Sequence, residues 1–382
     1  MNVWFFSSSF PRPGKPSHCP YNVSLCRALA REHSVTALVP IPWTDRSWGS
    51  PVPRIEGAGE FAVRYSRFYY MPRLGRRLQA RAMWRSARPQ AIKAAKATGR
   101  PDWMLSYWTY PDAAAALRLA REFECPLVSM VGGSDVLLAR EGTASWHRAA
   151  DTLRAVDHVV TVSRDLADRI NAMGVSPARI TIMPRGVDTE RFRPGDKRGA
   201  RAALNLPLNL PVLLWVGRMV AVKNLDVLLR AAHLVRACGE RFLLCLVGDG
   251  PLEGSVRDRI AELGLEPYVR LVGPAAHDQL PLWYQASDHF VLPSLSEGTP
   301  NVLLEAQACG KPFIASRVGG IPDLAVEGID TLVAPSDAAA LAAALVGAVA
   351  GPRDRRPPSF LDSWHGVASV IAQRAGEARA HA

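Results

Sequence analysis

Short apolar runs alternate with helix-length stretches along the whole chain. In the first half the strand-like runs are VWFFSSS, SVTALVP, WMLSYW, PLVSMVG, HVVTVS and ITIMP. In the second they are VLLWVGR, FLLCLVG, VRLVG, HFVLP, PFIAS and TLVAP. Most are bounded by Gly, Pro, Asp or Ser and separated by enough residues for a helix. The predicted fold is therefore α/β, with two doubly wound, Rossmann-like domains facing across a cleft. The segment RFRPGDKRGARAALNLPLNLP at 191–211 breaks the alternation with Pro, Gly and charge. That break places a first domain at 1–194, a linker at 195–211 and a second domain at 212–350. A second break, GPRDRRPPSFLDSW, opens a tail at 351–382, whose last helix could pack back on the first domain.

One stretch carries more than a fold signal. SEGTPNVLLEAQACGKP at 296–312 sets Glu297 and Glu305 eight positions apart, across a loop entering a helix. Thr299 suits the N-cap, Pro300 the first helical position, and Gly310 and Pro312 the stop. The helix so predicted covers 300–309 and leaves the N–H groups of Asn301, Val302 and Leu303 free to meet an anion. A nucleotide-sugar fits such a terminus, with its diphosphate at the cap and hydroxyls near each carboxylate. The plain alternative is that Glu297 only favours the helix dipole and Glu305 is a solvated surface residue.

Composition changes this picture little, and charge changes it more. The chain has 382 residues, 48% hydrophobic and 21% charged, as ordinary soluble proteins do. Its six cysteines are scattered with no C-x-x-C, which reads as reduced, buried thiols in a cytoplasmic protein. The start MNVWFFSSSFPRPGK lacks the basic and apolar regions of a signal peptide. The longest small-apolar run, Ala338 to Ala350, is 13 residues, short for a membrane span. The net charge of +11 is uneven: residues 1–194 carry +12 and the remainder −1. Much of the excess lies in 73–100, where Arg73, Arg76, Arg77, Arg81, Arg85 and Arg88 interleave with Leu74, Leu78, Met83 and Trp84. Such a helix either lies on an anionic membrane face, binds an anionic acceptor, or simply turns a solvated face outward. Nucleic acid is disfavoured, because no zinc-finger spacing or RNP-type aromatic pattern accompanies the charge.

Other strand-to-helix turns supply candidate chemistry. VGRMVAVKNLDVLLRAA at 216–232 places Arg218 and Lys223 on a loop where both could grip a diphosphate and stabilise a leaving group. GDGPL at 248–252 allows a tight turn that either admits a flat base or is only a turn. VGGIPDLA at 318–325 is a third glycine-rich turn, with Pro322 suited to a helix start. There is no D-x-D, H-x-x-x-H, G-x-x-x-x-G-K-[ST], G-x-S-x-G or G-x-G-x-x-G after the first strand. Metal-held diphosphates and the simplest kinase, hydrolase and dehydrogenase readings are thereby disfavoured.

Taken in order, YWTYPDAAAALRLA, GGSDVLL, HVVTVSRDLADRI, ITIMPRGVDTERFRP, VGRMVAVKNLDVLLRAA, LVGDGPL, LWYQASDHFVLPSLSEGTPNVLLEAQACGKPFIAS and VGGIPDL resemble a family 4 glycosyltransferase of the GT-B fold. The resemblance runs from about residue 5 to Trp364 and is most specific in 157–194 and 212–325. It implies retaining transfer of a sugar from a nucleotide-diphosphate sugar, with no cofactor and no essential metal. On that reading Glu297, Arg218 and Lys223 are catalytic, Glu297 contacting the donor sugar and the two cations the diphosphate. Glu305 takes the ribose, and Gly217, Gly250, Gly298, Thr299, Asn301 and Val302 complete the donor site. Gly14, Gly133, Ser134 and Asp135 fall on the acceptor and sugar side. The implied partners are the nucleotide-sugar and a saccharide or lipid-linked acceptor; if the acceptor is lipid-linked, the basic first half adds an anionic membrane surface at the cytoplasmic face as an expected partner. One departure stands out: many members carry His before Gly-Ser-Asp, and this chain has Gly132. A nucleotide-sugar binder without turnover, a nucleotide-sugar epimerase and a phosphorylase are the competing readings. No convincing acid/base pair supports an epimerase, and no pyridoxal-phosphate lysine motif supports a phosphorylase.

Overall fold

The computed structural model describes residues 1–15, 18–45, 60–71, 76–351 and 363–380. Contacts divide the chain into two units, Met1–Gly186 with Trp364–Ala382, and Val187–Ser363.

Among the described residues the first unit is built on seven strands: β1 (Asn2–Phe6), β2 (Ser34–Pro42), β3 (Ala62–Phe68), β4 (Trp103–Tyr107), β5 (Leu127–Val131), β6 (His158–Thr161) and β7 (Ile180–Ile182). They are all parallel and lie in the order β3-β2-β1-β4-β5-β6-β7. Every residue of β1, β4, β5 and β6 is buried, as strands covered by helices on both faces must be. Six of the seven strands coincide with the apolar runs. β3 does not, because Arg64 and Arg67 interrupt an edge strand in which only Ser66 and Phe68 are buried.

The covering helices are α1 (Pro20–Ala30), α2 (Gln79–Thr98), α3 (Ala114–Phe123), α4 (Ser134–Leu137), α5 (Ala144–Ala155) and α6 (Arg164–Ala172). α2 shows what the basic stretch does within the unit. It buries Ala80, Met83, Ala87, Ala91 and Ala94 at helical spacing, and turns Arg81, Arg85 and Arg88 outward. Arg77 and Leu78, in the short turn before it, are also exposed. Trp84 is half-buried, with the Arg118 guanidinium 5.9 Å over its ring. Arg73 and Leu74 lie outside the described residues, and so does the Arg76 side chain. The final helix, Trp364–Ala380, buries Val367, Ala368, Ile371 and Ala375 in the core of this same unit. No described helix is long and apolar enough to cross a membrane.

The second unit comprises α7 (Lys197–Ala203), β8 (Val212–Val216), α8 (Leu225–Ala237), β9 (Leu243–Val247), α9 (Glu253–Glu262), β10 (Val269–Gly273), α10 (Leu280–Ala286), β11 (His289–Leu292), α11 (Asn301–Ala308), β12 (Phe313–Ser316), β13 (Thr331–Val333) and α12 (Ala338–Val349). Its six strands among the described residues, each one an expected run, are parallel in the order β10-β9-β8-β11-β12-β13.

The segment expected as a linker, 195–211, is instead an integral part of this unit, and contacts change over at Gly186/Val187. Asp196 caps α7 by accepting from the Arg198 amide, and Ala200 and Leu206 are buried. The buried guanidinium of Arg201 donates to the carbonyls of Ala286, Pro207, Leu208 and Leu210, and meets Asp288 Oδ2 at 2.6 Å. Asp288 also accepts from the Val212 amide, which opens β8, and from Lys197 Nζ at 2.9 Å. The pattern of Pro, Gly and charge reads as a linker only until the arginine is seen to neutralise a carboxylate 87 residues away.

The two cations on Asp288 differ in burial, and this makes a test. Asp288→Ala leaves a buried guanidinium unpaired and should destabilise the second unit by about 3–5 kcal/mol. Lys197→Ala, at the more exposed contact, should cost about 1 kcal/mol or less. Urea titration of each variant measures both, and equal losses would contradict the assignment.

Candidate active site

In the second unit the chain winds one way from β8 to β9 and β10, and the other way from β11 to β12 and β13. The loops leaving β8 and β11 therefore diverge at their carboxyl ends, which opens the crevice where such sheets hold ligands. Both loops carry predicted site residues. The Leu295 amide bonds the Val222 carbonyl at 2.8 Å. Beside it Lys223 Nζ meets Glu297 Oε1 at 2.6 Å, with both side chains more than four-fifths buried. Arg218, on the same loop as Lys223, is exposed, and its side chain bonds no described residue.

Two further loops are stitched to these by glycines. Gly319 has φ +52°, and a Cβ there would overlap the Glu297 carbonyl oxygen; the Gly320 amide donates to the Gly298 carbonyl at 2.9 Å. The loop after β9 is held similarly. A Cβ on Gly248 would overlap the Gly217 carbonyl oxygen, and one on Gly250 would lie 2.5 Å from the Met219 carbonyl oxygen. Backbone fills the space on the Cβ side of both residues, so glycine is needed there for loop-on-loop packing. Pro322 does open a short 3₁₀ turn, Pro322–Leu324, as its fixed φ favours.

At the end of the β11 loop the structure corrects the expected cap. Pro300 occupies the capping position with extended backbone (φ −74°, ψ 118°), and α11 begins at Asn301 without a side-chain cap. Thr299 is buried at 2% exposure, ahead of the helix. The Leu303 amide is taken by the Pro300 carbonyl at 3.0 Å, so it is not available to an anion. Gly310, at φ +73°, follows the helix end as expected.

Glu305 is not a solvated surface residue. It is 8% exposed, accepting from the fully buried phenol of Tyr284 at 2.8 Å and lying 3.4 Å from His277 Nε2. Arg191 Nη1 meets the other nitrogen, His277 Nδ1, at 2.9 Å. Burial, and next the Glu305 carboxylate, push the Tyr284 phenol well above its usual range, so it remains a donor. A carboxylate is kept nearly buried only where polar partners offset its desolvation. Nothing in the spacing of His277 and Tyr284 announces this role, because they reach Glu305 from other elements.

In the first unit the residues expected on the acceptor side fall on two separate loops. Gly14 (φ +71°) sits in a tight turn bridged by Arg12 and Lys15, which both pair with Asp45, at 2.9 and 3.1 Å. Asp135 accepts from the Gly133 amide at 2.8 Å and from the Thr109 amide and hydroxyl at 3.0 and 2.9 Å. It thereby ties the loop after β5 to the loop after β4. Ser134 opens α4, and its side chain lies outside what is described. A second carboxylate, Asp112, is fully buried and accepts from the Ser8 amide. Burial pushes its pKa up to about 7, against the hydrogen bond from Ser8. Neither Asp112 nor Arg185, which lies beside Gly132, was identifiable from motif spacing.

Residues 21–191 match the family described as Glycosyltransferase Family 4, and residues 210–350 match Glycosyl transferases group 1. D-inositol 3-phosphate glycosyltransferase 2 of Catenulispora acidiphila is 37% identical over 248 residues, covering 62% of this chain and 54% of that protein. The D-inositol 3-phosphate glycosyltransferase of Mycobacterium bovis is 38% identical over 207 residues, 52% of this chain and 42% of its own. The chain thus spans about half the length of the curated relatives it matches. Among solved structures, sucrose-phosphate synthase from Thermosynechococcus elongatus superposes with a TM-score of 0.75 at 23% identity, covering 100% of this chain and 99% of that one. Anabaena HepE in complex with UDP gives 0.71 at 18% identity, with 99% and 98% covered. At these identities the likeness speaks for the fold alone.

Proposed function

The chain belongs to glycosyltransferase family 4, and from that premise we propose that it transfers a sugar from a nucleotide diphosphate to an acceptor, with retention and without an essential metal. The observation that carries this reading is the Lys223–Glu297 pair at the divergence of the β8 and β11 loops, beside the first turn of α11. An arriving diphosphate meets the exposed Arg218, the Lys223 ammonium and the first turn of α11. Those groups stabilise the charge that grows on the leaving phosphate as the glycosidic bond breaks. Glu297, released from Lys223 by that competition, faces the sugar, and Glu305 accepts from ribose hydroxyls in a geometry preset by Tyr284 and His277. UDP is the nucleotide to try first, since HepE binds it. The relatives named for inositol 3-phosphate support a phosphorylated acceptor, and polysaccharide or glycolipid assembly is the setting we propose.

The two glutamates should fail differently when UDP release from a panel of UDP-sugars is followed. Glu305→Gln should mainly raise KM, by the loss of charge-assisted hydrogen bonds worth about 1.5–3 kcal/mol. Glu297→Gln should chiefly lower kcat, because its contact is to the reacting sugar. Small and equal changes in both parameters for both variants would return the pair to a purely structural role. Inversion of a sugar centre without UDP release would instead identify an epimerase.

In the same assay activity should survive excess EDTA, since the leaving group's charge is met by Arg218, Lys223 and a helix terminus. Abolition by EDTA, with rescue by manganese or magnesium, would overturn this mechanism.

We also propose that the exposed Arg77, Arg81, Arg85 and Arg88 let the first unit rest on an anionic membrane surface. Each cation there adds about 1 kcal/mol, screened by salt. Flotation with anionic liposomes at low salt should carry the protein, and a variant neutral at Arg77, Arg81 and Arg85 should float less. No flotation at low salt would leave these arginines as a solvated face.

A further inference from the structure

The space over Gly132 is already filled. A Cβ at this position would overlap Tyr107 Oη, with Tyr107 Cζ at 2.7 Å and Arg185 Nη2 at 3.2 Å. Tyr107 closes β4 at 1% exposure. Its phenol accepts from Arg185 Nη2 at 2.5 Å, and the same nitrogen donates to the Gly132 carbonyl at 3.2 Å. The guanidinium carbon stands 4.5 Å over the ring of Tyr21, in the first turn of α1, and 5.9 Å from the ring of Tyr107. Gly132, Tyr107 and Tyr21 thus form a cradle for one arginine, and only glycine at 132 permits it.

The cradle lies at the carboxyl ends of β4, β5 and β7, the edge at which doubly wound sheets take ligands. A guanidinium laid on an aromatic face is held in one plane, and its fork of N–H donors matches carboxylate and phosphate oxygens. The surrounding charges do not oppose an anion. Arg12 and Lys15 pair with Asp45, and the His18 pKa is lowered, first by burial and then by those two cations. Burial drives Asp112 and Asp135 toward their protonated forms.

We propose that Arg185 is a specificity-determining residue, through which the first unit binds a carboxylate or phosphate carried by a sugar substrate. The inference rests on the glycosyltransferase reading above. Two sources carry this chemistry: a hexuronic acid on the nucleotide donor, or a phosphate on the acceptor.

Paired substrates separate them. UDP release is measured with UDP-glucuronate against UDP-glucose as donors, and with inositol 3-phosphate against inositol as acceptors for UDP-glucose. Wild type should prefer the charged member of one pair, and which pair it is names the source. Arg185→Gln should reduce that preference by about 10–100-fold, the loss falling on kcat/KM of the charged member. Arg185→Lys should restore part of it, and Gly132→Ala, which displaces the cradle but keeps the arginine, should weaken it in the same direction. Thermal unfolding of each variant confirms that it is folded. No charge preference in wild type, or equal losses on both members in Arg185→Gln, would overturn the proposal while the transferase reading stands. A wild type that cleaves no donor would remove both.

Discussion

The second unit is organised by a topological constraint: its chain must leave β8 in one direction and β11 in the other. Two loops that part at the edge of a parallel sheet leave backbone donors and side chains facing a common space. Here that space is framed by close contacts which only glycine allows, at Gly248 against Gly217 and at Gly319 against Glu297. Those contacts fix the loops to within van der Waals distance of each other. The Lys223–Glu297 pair then sits on a support that does not depend on the two side chains themselves.

Charge placement follows from the same frame. Glu305 can be almost buried because Tyr284 and His277 converge on it, and His277 is met in turn by Arg191. A carboxylate held in this way needs little reorganisation to accept a further hydrogen bond. Arg218 contrasts with it, being exposed and without a partner among the described residues, as a cation must be if it is to meet an incoming anion. The first unit follows a different logic. Its carboxylates Asp112 and Asp135 are used to hold loops, while its carboxyl edge presents the guanidinium of Arg185 on a tyrosine face.

What was legible in the chain follows physical locality. Twelve apolar runs became twelve strands: the central ones are buried on both faces and so must be apolar at consecutive positions, while β7, β10 and β13 are only partly buried. β3 escaped because an edge strand tolerates the polar positions Arg64 and Arg67. The helix after Pro300 was also local, yet its start moved by one residue, since Pro300 took the extended capping conformation. The segment 195–211 departs from its linker-like appearance for the opposite reason. Its charges look like those of a linker until Arg201 and Lys197 find Asp288 far along the chain.

The sequence by itself determined the class of fold, the spacing of Glu297 and Glu305, and the loop that carries Arg218 and Lys223. All of these depend on residues within a few turns of each other. Tertiary structure decided which of them meet: that Lys223 pairs with Glu297, that Glu305 is buried against Tyr284 and His277, and that Gly132 makes way for Arg185. Each of these contacts joins different elements of the fold. Their energies depend on distance and burial, which appear only once the strands have been ordered and the loops at their carboxyl ends brought together.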